Sequence, residues 1–77
     1  MCRLKVLRIE KGYTQLQVQM KTGIDQGDYS KMETGVSNLS FENCRLLALL
    51  FDTSMDYLAG LTDEKAPYPR ADNIVEL

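Results

Sequence analysis

Along the first 61 residues, apolar positions recur at spacings of three and four. Glycines and small polar residues break that pattern at short intervals, which predicts a series of short helices. In RLKVLRIEK, residues 3–11, Leu4 and Leu7 share a face with Arg8 and Lys11. Gly12 follows where a left-handed residue ends a helix. Cys2, Val6 and Ile9 fall on the opposite side, so this helix is apolar on two sides. A single core contact accounts for one side only. The other is either a set of singly exposed aliphatics or a contact with a second copy or the chain's own tail. Thr14 is a good N-cap for a second helix over 15–22, whose apolar residues are Leu16, Val18 and Met20. Gly23 can reverse the chain at positive φ, turning Ile24 back to the core. Asp25 then caps a third helix over 26–34, with Tyr29 and Met32 facing inward and Gly35 as its stop.

After a loop at 36–39, Ser40 caps a fourth helix running to Phe51. Phe41, Cys44, Leu47, Ala48 and Phe51 form its core stripe. Leu46, Leu49 and Leu50 lie outside it, so the helix is apolar nearly all round and is either deeply buried or part of an interface, the smallness of the domain favouring the interface. Ser54 caps a short fifth helix with Leu58 inward and Gly60 near its end. The expected fold is all-α, a compact five-helix domain over residues 1–61. Residues 62–77, TDEKAPYPRADNIVEL, form a tail of different character. Pro67 and Pro69 bracket Tyr68 and bar a regular helix, while the closing NIVEL is apolar and β-prone. The tail is expected to be partly ordered, or docked on helix one or on a partner.

A chain of 77 residues is one domain with a modest core, so association with a second copy would help it. The sequence shows no secretory leader pattern and no long apolar run, so a cytoplasmic protein without a membrane partner is expected. Cys2 and Cys44 are far apart and the chain holds no His, which excludes the common zinc spacings and a CxxC redox pair. The absence of His, of a Gly-rich phosphate loop and of a Ser or Cys set beside a base argues against catalysis or a cofactor. Asp25 and Asp28 stand together at a helix start, a capping pattern rather than an acid/base pair.

Net charge is −2, but its distribution is uneven. Residues 1–38 hold six Lys/Arg against four acids, and residues 39–77 hold three against seven. A mildly basic front and an acidic back suit a chain that presents one end to a polyanion. The second and third helices, joined by a very short turn, form a pair in which the second can enter a DNA major groove while the first crosses the backbone. With Tyr29 and Met32 inward, the third helix turns Gln26, Gly27, Asp28, Ser30 and Lys31 outward. Gln26 can pair bidentately with adenine, Lys31 can reach guanine or a phosphate, and Ser30 can pair with either base type. Thr14 and Gln15, at the start of the second helix, suit a phosphate.

The string T-Q-x-x-V-x-x-K-T-G-I-x-Q-x-x-Y-S-K-x-E-T-G over 14–35 carries a resemblance. With L-x-x-L-R before it and L-S-F-E after it, it resembles the Cro/lambda-repressor-like (Xre-type) helix-turn-helix family over residues 3–61. The resemblance implies a five-helix domain that binds double-stranded operator DNA, usually as a homodimer on a two-fold site. It implies that Gln26, Gly27, Ser30 and Lys31 face bases. Thr14, Gln15, Asp28 and Asn38 form the set facing the DNA backbone, with Gln15 also bracing Gln26, and Arg8 pairs with Glu33. The dimer surface would draw on the apolar back faces that include Val6, Ile9, Leu46, Leu49 and Leu50. The chain departs from the family at Gln19, where Ala is usual, so its side chain must turn outward or open the helix pair. Gly27 brings no side chain to a base, Asp28 brings a negative charge, and Val36-Ser37-Asn38 lacks the basic residues relatives use on phosphates. These departures predict weak or strongly site-dependent binding unless a dimer compensates. They also keep open a rival reading, a helix-turn-helix module that binds a protein partner through its fourth helix.

Overall fold

A computed structural model of the chain describes residues 3–71. It contains α1 (Arg3–Glu10), α2 (Gln15–Thr22), α3 (Gln26–Glu33), α4 (Phe41–Leu50) and α5 (Met55–Ala59), with no strand among the described residues. The all-α, five-helix architecture anticipated from the hydrophobic pattern is therefore the one observed. None of these helices is long and apolar enough to cross a membrane.

The helices α2 to α5 each begin where a side chain accepts backbone N–H groups that the first turn leaves unpaired. Thr14 accepts from the Gln17 N–H, and the Gln17 side chain accepts from the Thr14 N–H, closing a capping box at the start of α2. Ser40 accepts from the Asn43 N–H on α4, and Ser54 from the Tyr57 N–H on α5. The reversal between α2 and α3 requires Gly23, which sits at φ 79° and donates its N–H to the Gln19 carbonyl at 2.8 Å.

The core is built of Leu4, Leu7, Val18, Ile24, Tyr29, Met32, Leu47 and Phe51. α3 packs between α1 and α2, α4 backs α2, and α5 rests on α4. On α2 the apolar residues fall at i, i+2 and i+4, which cannot share one helical face. Val18 takes the core position at 0% exposure, and Met20 is left 76% exposed. Cys44 is a free, buried thiol, and its pKa is raised by that burial and by the nearby Asp56 charge.

Two expectations for α4 need correction. Phe41, placed in the core stripe by its spacing, is 75% exposed. It is the first residue of the helix. Side chains on a helix lean toward its N-terminus, so a first-turn residue overhangs the start of α4 instead of lying on the core. Conversely, Leu46 and Leu50, read as an outer apolar face, are half-buried and packed against the core. Leu49 is half-buried beside Tyr68, Pro69, Arg70 and Ala71. Val6 and Ile9 on α1 are more than half exposed.

The segment after α5 folds back over the body. Arg3 donates to the carbonyls of Tyr57 (2.7 Å) and Thr62 (2.6 Å), pairs with Asp63 at 2.9 Å, and lies 4.2 Å from the centre of the Tyr57 ring. Thr53, fully buried, donates to the Lys65 carbonyl at 2.6 Å. Lys65 meets Glu10 of α1 at 2.7 Å, Tyr68 donates to Asp56 at 2.8 Å, and Arg70 approaches Asp52 at 3.5 Å. The NIVEL end and Cys2, whose docking and facing were read from sequence, lie outside the described residues.

Removing the Leu47 side chain should destabilise the domain by about 2–4 kcal/mol. Met20→Ala should change stability by no more than about 0.5 kcal/mol, because Met20 makes little of the core. Urea unfolding followed by circular dichroism distinguishes the two, and equal losses would contradict this assignment of the α2 and α4 faces.

Candidate nucleic-acid interface

The residues singled out in the sequence converge around the α2–α3 pair, and a polar clamp fixes them there. Arg8 of α1 donates from Nε to Glu33 Oε2 at 2.6 Å and from a terminal nitrogen to Glu33 Oε1 at 3.3 Å. Its other terminal nitrogen donates to the Tyr13 carbonyl at 3.0 Å, in the turn that leads to α2. Gln15, the first residue of α2, donates its amide to Glu33 Oε1 at 3.2 Å. One carboxylate at the end of α3 thus gathers α1 and α2, and one guanidinium ties it to the intervening turn.

The Glu33 side chain is only 4% exposed and that of Arg8 14%. Burial alone acts to raise the Glu33 pKa. Hydrogen bonds from Arg8, Tyr29 and Gln15, with the Arg8 charge, outweigh it, and the pKa is lowered below the usual carboxylate value. The Glu33 bond in turn raises the Arg8 pKa, so both partners stay charged throughout the neutral range.

The face of α3 directed away from the clamp is open. Gln26, Gly27, Asp28 and Lys31 are exposed and Ser30 is half-buried. The N-terminus of α3 is closed by protein acceptors. Asp25 accepts the Gly27 N–H at 3.0 Å and the Asp28 N–H at 3.2 Å. Gln19 reaches across from α2 and accepts the Gln26 N–H at 2.7 Å. The Gln19 side chain, expected to turn outward or to prise the helices apart, is used as a bond between them. The brace on Gln26 thus comes from Gln19, while Gln15 is engaged with Glu33. Gly27 has a packing reason as well: a Cβ there would lie 3.1 Å from the Asp25 Oδ2 atom that caps the helix.

Of the residues assigned to the DNA backbone, Thr14 is exposed at the head of α2, with its hydroxyl oxygen accepting within the capping box. Gln15 is half-buried beside it. Asp28 is exposed on the first turn of α3, and Asn38 is exposed in the loop before α4. Lys21 lies over the Tyr13 ring, 5.3 Å from its centre, at the other end of α2. The sequence reading missed the roles of Gln19 and Arg3. Gln19 carried a usable signal, since a long amide seven residues before a helix's first residue, across a glycine turn, can reach that helix's free N–H. Arg3 carried none, because its partners lie more than fifty residues away.

A family profile described as Helix-turn-helix matches residues 4–58. The chain belongs to the Cro/lambda-repressor-like (Xre-type) helix-turn-helix family. It is 34% identical over 74 residues to a Bacillus subtilis (strain 168) protein named as the uncharacterized HTH-type transcriptional regulator YobD. That alignment covers 96% of this chain, which spans 66% of the relative's length. No solved structure gives a significant match. The matched residues take in α2, α3 and α4 whole and all of α1 and α5 but Arg3 and Ala59. The family is not one of enzymes.

The clamp makes a pH-dependent prediction. The Glu33 pKa is lowered on folding, so the stability it contributes is present above the unfolded-state value, about 4.3. That contribution is lost as pH falls through the lower folded-state value. Glu33→Gln should cost about 3 kcal/mol or more at pH 7, because it leaves Arg8 part-buried without its counter-charge. It should also flatten the fall of stability below pH 4.3 or so. Chemical denaturation at pH 3, 5 and 7 measures both effects, and an unaltered acid slope would remove Glu33 as its source.

Proposed function

We propose that this helix-turn-helix domain is a sequence-specific, double-stranded-DNA-binding transcriptional regulator that inserts α3 into the major groove. The observation that carries the reading is the open polar face of α3, held rigidly beside the exposed head of α2 in a member of this family. The relative's name as a transcriptional regulator supports the same assignment. In this reading Gln26 pairs with a base edge, preferentially adenine, and Lys31 reaches a guanine or a phosphate. Ser30 adds a short contact, and Gly27 lets the helix backbone approach the bases. Thr14 and Gln15 meet one strand's backbone and Asn38 meets it from the loop, while Asp28 limits attraction to random DNA. The protein acts in the cytoplasm, without a cofactor, as a regulator of the Cro/C1 repressor type.

The reading includes a homodimer on a two-fold operator, with α3 and its symmetry mate about 34 Å apart to span one DNA turn. Val6 and Ile9 are the exposed members of the proposed surface. Leu46 and Leu50 are mostly committed to the core, and Leu49 to the neighbourhood of Tyr68, so the α1 side offers the larger free apolar contribution. The second reading, a protein-binding module, draws on the negative groups at the start of α3 and on exposed Phe41 and Met20.

Selection of bound sequences from a random DNA library, with titration at two salt concentrations, separates these readings. A single enriched palindrome is expected, with a shallow salt dependence that reflects few phosphate contacts. No enrichment at low salt would favour the protein-binding module. On the selected site, Gln26→Ala should cost about 1–3 kcal/mol and relax preference at one base pair per half-site. Lys31→Ala should weaken binding more evenly across sequences if it meets phosphate. Equal loss on selected and random DNA for Gln26→Ala would defeat its base-reading role.

A further inference from the structure

We infer that Gln19 is a positioning residue that sets where α3 presents Gln26, and so determines specificity without itself being a base reader. The inference rests on the DNA-reading function proposed above. α3 is only eight residues long; Tyr29 and Met32 set it against the core, and polar ties hold its two ends. Tyr29 is sunk in the core at 0% exposure, and Glu33 anchors the C-terminal end through Arg8 and Gln15. At the N-terminal end, the Asp25 carboxylate bonds N–H groups within its own segment and so fixes local helix geometry without tying it to α2. The bond from Gln19 to the Gln26 N–H crosses from α2 to the first turn of α3.

Two amide side chains on one face of α2, four residues apart, therefore address opposite ends of α3: Gln15 reaches Glu33 and Gln19 reaches Gln26. Together they define the tilt of α3 about its buried midpoint, and Gln26 sits at the end that Gln19 controls. The amide orientation of Gln19 is fixed by its partner. A backbone N–H only donates, so the atom 2.7 Å from it is the carbonyl oxygen. A side chain of similar length without an acceptor would keep the packing and lose the tie.

The test compares Gln19→Met, which removes the acceptor, with Gln19→Glu, which keeps one. Gln19→Ala is a third variant, small enough to fold if Met does not. The first measurement is amide hydrogen exchange at Gln26 in the free protein by NMR. The second is the ratio of affinities for the selected site and for the same site altered at the base pair that Gln26→Ala relaxes. Loss of one neutral hydrogen bond should lower Gln26 protection about three- to tenfold in the Met and Ala variants and lower the discrimination ratio by a comparable factor. Affinity for random DNA and the salt dependence should stay as in the wild type. Gln19→Glu should keep Gln26 protection and discrimination while binding all DNA more weakly. Unchanged protection in Met or Ala overturns the inference, as does unchanged discrimination once protection is lost. A wild-type protein that enriches no sequence overturns the DNA reading itself. A wild type that enriches a site whose discrimination ignores Gln19 overturns the positioning role alone.

Discussion

The charged pair of Arg8 and Glu33 is the constraint on which the rest of the arrangement depends. It joins the first helix to the last turn of the third, and through the Tyr13 carbonyl and the Gln15 amide it also holds the start of the second. Buried pairs of this kind add little net stability, because desolvation offsets most of the attraction. Their value lies in direction. A guanidinium fork and a carboxylate accept one relative placement, whereas an apolar contact tolerates several. Three short helices meet at this point, each too short to be stable alone. A directional junction therefore decides more about their geometry than propensity does.

The apolar core and the polar ties divide the work between them. Val18, Tyr29, Leu47 and Phe51 supply the burial that makes the domain fold. Tyr29 and Met32 seat α3 on that core, and the directional bonds of Gln19 at one end and Glu33 at the other fix how it lies there. The same logic recurs at the back of the domain, where Arg3 gathers the end of α5 and the segment that follows it onto α1.

Most of the fold was legible in the residues, because short helices announce themselves by their caps. Thr14, Asp25, Ser40 and Ser54 each stand where a helix begins, and Gly23 and Gly60 where one ends. Periodicity was less secure at the edges of elements. It put Phe41 in the core, because spacing alone does not know that a first-turn side chain overhangs its helix. It read Leu46 and Leu50 as a surface, because a small domain with several neighbours around one helix can bury more than one stripe. The clamp entered through family likeness, and no local rule would have paired residues twenty-five apart. The folding back of residues 62–70 depends on long-range ion pairs and on the Thr53 hydroxyl, for which sequence spacing offers no signal.

Gly27 looked like a missing reader, and the structure gives it a different standing. The Asp25 carboxylate occupies the space beside it, 3.1 Å from where a Cβ would be. Any side chain at 27 must displace that cap by a few tenths of an ångström before it can reach toward a ligand. Position 27 and position 25 are therefore epistatic. A lineage acquiring a new residue at 27 would meet a helix-start penalty unless residue 25 changes first or yields. On the proposed function, the repertoire of sites open to this protein by single substitutions is narrower than its exposed α3 face implies, and the paths to new ones run through the cap.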